Sequence, residues 1–137
     1  MAHEKALAAL LSKKAPKAAA RTVSALDFSG TWQNEYGSTA QFVVSGSNVS
    51  GTYTSQVSGS NQTITGPIVG QVTGDVIGFT VLWPTPDPSL TAWAGQLVDD
   101  GGNETLETLW YLVMDVSDDP NQLWKSTLAG ADFFVRV

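Results

Sequence analysis

Beyond Leu26 the chain divides into short runs in which apolar and polar residues tend to alternate, each closed by a cluster of Gly, Ser, Asn, Asp or Pro. A period of two puts alternate side chains on opposite faces of an extended strand, so most of the chain reads as sheet. Eight strands are predicted: Gly30–Tyr36, Thr39–Ser45, Val49–Ser55, Thr63–Val72, Val76–Trp83, Thr91–Asp99, Thr105–Val113 and Trp124–Arg136. Turn signals part them at Gly37-Ser38, Ser45 to Asn48, Gly74-Asp75, Pro84 to Pro88, Asp99 to Gly102 and Asp118 to Asn121. Short strands at this spacing specify a sandwich or a barrel. Links this short join sequential neighbours as hairpins and favour an up-and-down meander. An eight-stranded antiparallel meander that closes on itself has no free edge, and its interior holds one small ligand.

The first 25 residues are built differently. They are rich in Ala and Lys, and Leu7, Leu10 and Leu11 recur at helical spacing, which predicts a short helix up to about Lys14, with Pro16 ending it. We therefore expect a basic extension over residues 1–25 and one β-barrel domain over residues 26–137. The 137 residues suit a single core without staples, and with no cysteine there are no disulfides or thiolate metal sites. His3 is the only histidine, which removes His-based triads and His-rich metal sites from the barrel. The extension carries five basic side chains against one acidic, whereas residues 26–137 carry two against twelve. So acidic a body repels phosphate backbones, and nucleic acid is not an expected partner. No apolar run approaches a membrane span, so no membrane partner is expected, and the N-terminus is a poor secretory signal.

Five tryptophans stand in the chain. Trp32, just after Gly30-Thr31, is expected to plug one barrel end. Trp83, Trp93, Trp110 and Trp124 each admit ordinary core packing, but four in half a barrel also suit an aromatic cage around a flat apolar ligand. Asn34, Ser38, Tyr53, Ser55, Thr91 and Asp132 accompany them within or beside strands. An inward Asp132 is costly unless hydrogen-bonded, so it reads as a group awaiting a donor. The paired acids Asp99-Asp100 and Asp118-Asp119 lie in turn signals and read as solvated turn residues rather than a glycosidase pair. Asn48-Val-Ser50, Asn61-Gln-Thr63 and Asn103-Glu-Thr105 fit the glycosylation sequon, a frequent coincidence in a chain this rich in Asn, Ser and Thr.

In order and spacing, six segments resemble the avidin and streptavidin family: Gly30-Thr-Trp-Gln-Asn34-Glu-Tyr-Gly-Ser38, Gly51-Thr-Tyr53-Thr-Ser55, Phe79-Thr-Val-Leu-Trp83, Thr91-Ala-Trp93-Ala-Gly-Gln96, Leu109-Trp110-Tyr111-Leu112 and Trp124 to Phe134. The resemblance covers residues 28 to 137. It implies an all-β, avidin-like barrel that binds biotin or biotinylated molecules, catalyses nothing, uses no cofactor or metal, and assembles as a homotetramer. Carried over by position, Asn34, Ser38 and Tyr53 would donate to the ureido oxygen of biotin, and Asp132 and Ser55 would accept from its N–H groups. Thr91 would meet the ring sulfur, and Trp83, Trp93 and Trp110 would wall the ring with Val57 and Leu112 beside them. Ser89 matches the family's carboxylate-binding serine. Ser58 and Gly59 lie in the loop that closes over ligand. Trp124 would reach into a neighbouring subunit's pocket. Many family members are secreted. Three departures stand out: shorter loops after Ser55 and Trp83, Phe79 where tryptophan is common, and Ala131 where a polar interface residue is usual. A lipocalin-like barrel for some other apolar ligand suits an inward Asp132 poorly.

Overall fold

The computed structural model describes residues 2–13, 28–56, 62–116, 121 and 127–137. An N-terminal helix, α1 (His3–Ser12), comes first and buries none of its residues. Eight strands follow: β1 (Gly30–Asn34), β2 (Thr39–Ser45), β3 (Asn48–Gln56), β4 (Thr63–Thr73), β5 (Val76–Trp83), β6 (Ser89–Asp100), β7 (Asn103–Met114) and β8 (Thr127–Arg136). Each pairs antiparallel with the next, and β8 returns to β1, closing an up-and-down barrel. Expected and observed strands agree except at their ends. β6 begins two residues before Thr91 and β7 runs one beyond Val113, while β1 stops at Asn34 because Glu35 to Ser38 form the turn. Residues 124–126 of the eighth predicted strand lie outside the described residues.

Turn chemistry makes the two barrel ends unlike. At one end two-residue turns connect β2 to β3 and β4 to β5, each opening on a glycine, Gly46 at φ 61° and Gly74 at φ 54°. A left-handed first residue matches the right-handed twist of the strands, which an L side chain would disfavour. At the other end the connections are longer: 35–38, 57–62, 84–88 and 115–126. Tight turns let the interior fill completely at the first end, and longer loops leave the second open.

The closed end is packed by alternate inward residues, among them Trp32, Phe42, Val49, Ile68, Val72, Ile77, Leu97, Leu106 and Phe134. Trp32 is fully buried, as a plug should be, and its indole N–H donates to the Phe28 carbonyl at 2.9 Å. The Arg136 guanidinium lies 4.3 Å over its ring, a cation–π contact, while Nη2 reaches Glu104 at 3.2 Å and Nη1 donates to the Ser29 carbonyl at 2.8 Å. This cluster ties the first strand to the last.

Candidate ligand-binding site

The inward-facing side chains change character toward the open end, where a cavity of about 740 Å³ enters the barrel. Eleven residues singled out from the sequence line it: Asn34, Ser38, Tyr53, Ser55, Trp83, Ser89, Thr91, Trp93, Trp110, Leu112 and Asp132. Six different strands and the β1–β2 turn deliver them, and strand register puts them on one face. Tyr53 pairs with Gly66, Trp83 with Ser89, Thr91 with Leu112, Trp93 with Trp110, and Asp132 with Thr108. Val57, Ser58, Gly59 and Trp124 lie outside the described residues.

The direction of each polar contact follows from which protons are already committed. Asn34 Oδ1 accepts the backbone N–H groups of Tyr36 at 3.0 Å and Ser38 at 2.9 Å, so the amide is oriented with Nδ2 toward the cavity. One Nδ2 proton is aimed at the Tyr53 hydroxyl at 3.5 Å. Ser38 Oγ accepts from Gln56 N at 3.0 Å and so keeps its own proton to give. Burial, and then the negative charge of Asp132, hold the Tyr53 hydroxyl far above the ordinary tyrosine range, partly offset by its hydrogen bond with Ser38. It therefore stays a neutral O–H donor. Three donors crowd one corner with no carbonyl among them, which is the complement of an electron-rich oxygen.

Beside these donors stands the opposite chemistry. Asp132 is half-buried, and the Trp93 indole N–H donates to its Oδ2 at 3.4 Å. Desolvation raises its pKa above the usual carboxylate value, and the charge of Glu35 adds to this, while the Trp93 and Asn34 donors pull it back. Glu35 is fixed beside it because its Oε2 accepts the Phe133 N–H at 3.1 Å. An ionised Asp132 so placed favours a ligand that brings N–H groups.

An aromatic wall lines the same space. Trp93 stacks on Tyr53 at 4.7 Å between centroids and on Phe79 at 4.8 Å, and Tyr53 meets Trp83 edge-on at 5.7 Å. Phe79, smaller than a tryptophan, sits under Trp93 and does not line the cavity. Trp83 donates its indole N–H to Thr91 Oγ1 at 2.8 Å, which leaves the threonine proton free. Trp110 lies across Gly130, where an added Cβ would fall 2.5 Å from the indole ring. Tyr36, Gln56, Ile64, Thr85 and Met114 also line the cavity, at its rim. The sequence reading passed over them. Ile64 was legible in principle from its register opposite Ser55, whereas Met114 fell one residue past the predicted strand end.

A meander barrel whose open end presents donors, an acceptor and indoles to one enclosed space is a small-molecule-binding barrel. The chain belongs to the avidin family, whose sequence model matches residues 22–137. Among relatives, it is 34% identical over 109 residues to Afifavidin of Afifella pfennigii, spanning 76% of this chain and 69% of that protein. The crystal structure of Xenavidin superposes with a TM-score of 0.67 at 30% identity, covering 81% of this chain and 98% of that one. The X-ray structure of a biotin binding protein from chicken gives 0.67 at 32% identity, covering 81% and 96%. Proteins of this family are non-catalytic binders and need no cofactor.

Proposed function

We propose that the cavity binds one biotin per chain, held by its ureido ring. Asn34, Ser38 and Tyr53 donate to the ureido oxygen, and Asp132 and Ser55 accept from its two N–H groups. Donors on one side and an acceptor on the other polarise the urea in the same sense, and in a dry site each bond strengthens the next. Thr91 turns its free proton to the ring sulfur. Trp83, Trp93, Trp110 and Leu112 exclude water from the bicycle, and the tail leaves past Ser89. By the family resemblance Val57 would sit beside the ring, and Ser58 and Gly59 would belong to the loop that covers the ligand. The observation that carries this reading is the pairing of donors with an acceptor in one enclosed space: the Asn34, Ser38 and Tyr53 donors converge at one corner, and the half-buried carboxylate of Asp132 stands beside them.

The assembly we propose is a homotetramer in which Trp124 completes a neighbour's site. In support, the outer face of β6–β8 exposes Leu109 (70%), Tyr111 (52%) and Phe133 (50%) beside a shallow groove lined by Ala92, Ala94, Ala129 and Ala131. Contiguous apolar surface of this kind marks contact with protein. One experiment tests both parts. A calorimetric titration with biotin, followed by tryptophan emission and light scattering, is expected to give one ligand per chain, altered emission, and a four-chain mass. Neither heat nor thermal stabilisation would reject the ligand, and a monomer or dimer mass would reject the role of Trp124.

A further inference from the structure

The rim residue Thr85 changes what Ser89 can do. Thr85 Oγ1 donates to the Asp87 carbonyl at 2.6 Å, and a carbonyl has no proton to offer in return. Thr85 Oγ1 also lies 2.9 Å from Ser89 Oγ. A threonine hydroxyl holds a single proton, and here it is spent on Asp87. In the Thr85–Ser89 pair the serine is therefore the donor. The relay runs from Ser89 to Thr85 to the Asp87 carbonyl, and Ser89 turns only lone pairs toward the cavity.

The relay is held in place by its setting. Pro84, Pro86 and Pro88 alternate with Thr85 and Asp87, fixing φ at every second residue of the loop. The Pro88 carbonyl is tied to the Asp115 N–H at 2.8 Å. Ser89 itself is 8% exposed and opens β6, so its side chain has little freedom to turn away. Among the described residues that line the cavity there is no Lys, Arg or His.

We propose that the mouth of this site selects a ligand tail that ends in an amide N–H over one that ends in a carboxylate, with Thr85 setting that preference by making Ser89 an acceptor. An amide nitrogen, such as that joining biotin to a lysine side chain, finds an acceptor in Ser89. A carboxylate there meets lone pairs and loses the donor that a serine would ordinarily supply. The proposal rests on biotin being the ligand, and it names the form in which the ligand arrives: conjugated rather than free.

The test compares free biotin with biotinyl-lysine on the full chain, by competition calorimetry and by dissociation rate. The wild type is expected to hold biotinyl-lysine more tightly. Thr85→Val keeps the shape and removes the relay, so Ser89 recovers its proton. The ratio of the two affinities should then swing toward free biotin by about tenfold, the scale of one hydrogen bond to a charged group. Thr85→Ser restores the relay and should restore the wild-type ratio. If both ligands bind but the ratio is the same in all three proteins, the proposal is overturned and biotin binding stands. If neither ligand binds the wild type, the reading of the site fails and the proposal with it. A Thr85→Val protein with an unchanged melting temperature shows that the swing is not a folding effect.

Discussion

At the scale of single residues, Asp132 holds the strongest lever on the site. Its carboxylate is costly while the cavity is empty, because burial removes water from it and Glu35 adds like charge. Ligand N–H groups stabilise the ionised form, so binding lowers its pKa. By linkage, affinity is then full at pH values above the free-state value and falls, by up to about tenfold per pH unit, as the pH drops through it. Because the free-state value is raised, the loss begins at higher pH than for an ordinary carboxylate. Asp132→Asn should flatten this profile and weaken binding by roughly 10- to 150-fold at neutral pH, the worth of about 1.5–3 kcal/mol for a charged hydrogen bond. The change should appear mostly as faster release, which stopped-flow displacement measures. A profile that keeps its slope in the variant would assign the titration to another group. Stability of the empty barrel runs the other way, since a raised carboxylate favours the fold more as the pH falls through its native value.

Residue types and their order were readable in advance because the family pattern stores them directly. Hydrogen-bond direction was not. That Asn34 turns Nδ2 inward depends on two backbone N–H groups in the turn after it, and that Ser89 accepts depends on a threonine four residues earlier in a loop. Both facts belong to three-dimensional geometry that spacing leaves open.

At the scale of elements, alternation and turn signals located all eight strands. What they missed were last residues at the open end, where β7 runs on into the rim and Met114 lines the cavity. Strand ends there are set by pairing with a neighbour, as Met114 pairs with Ser89, and local pattern is silent about a partner's length. Side-chain size is matched across strands in the same way. Trp110 faces Gly130 in register, and the missing Cβ is what lets the indole lie against the strand. Gly130→Ala should push the ring from the cavity wall, destabilise the barrel by about 1–3 kcal/mol through overpacking, and weaken biotin binding together with it. Denaturant melts with and without biotin check both effects. An unaltered midpoint would mean that the indole has a second resting place.

At the scale of the whole molecule, closure of the barrel depends on the pairing of β1 with β8, which pair in register at three positions, Trp32 with Arg136, Gln33 with Val135 and Asn34 with Phe134, with one further backbone bond from the Val137 N–H to the Thr31 carbonyl at 3.0 Å. The β6–β7 ladder, by contrast, runs from Ser89 to Asp100 without a break. Beyond Phe134 the seam no longer has a backbone partner for Phe133, and the Glu35 side chain takes that N–H instead. The short β1–β8 ladder is thus where the cylinder is most easily unzipped, and its contacts are the most distant in the chain, the kind formed late in folding.

Asn34 and Asp132 stand on opposite sides of that join. A urea gripped by both would act as a rivet, so that the occupant of the chamber also locks the wall around it. Amide hydrogen exchange at Gln33 and Val135 should accordingly slow on biotin binding far more than at the long β6–β7 ladder. Equal slowing everywhere would mean that the guest merely fills the chamber. Escape of the guest and splitting of the wall would then share one barrier, and a slow leaver would be inseparable from a barrel that stays shut.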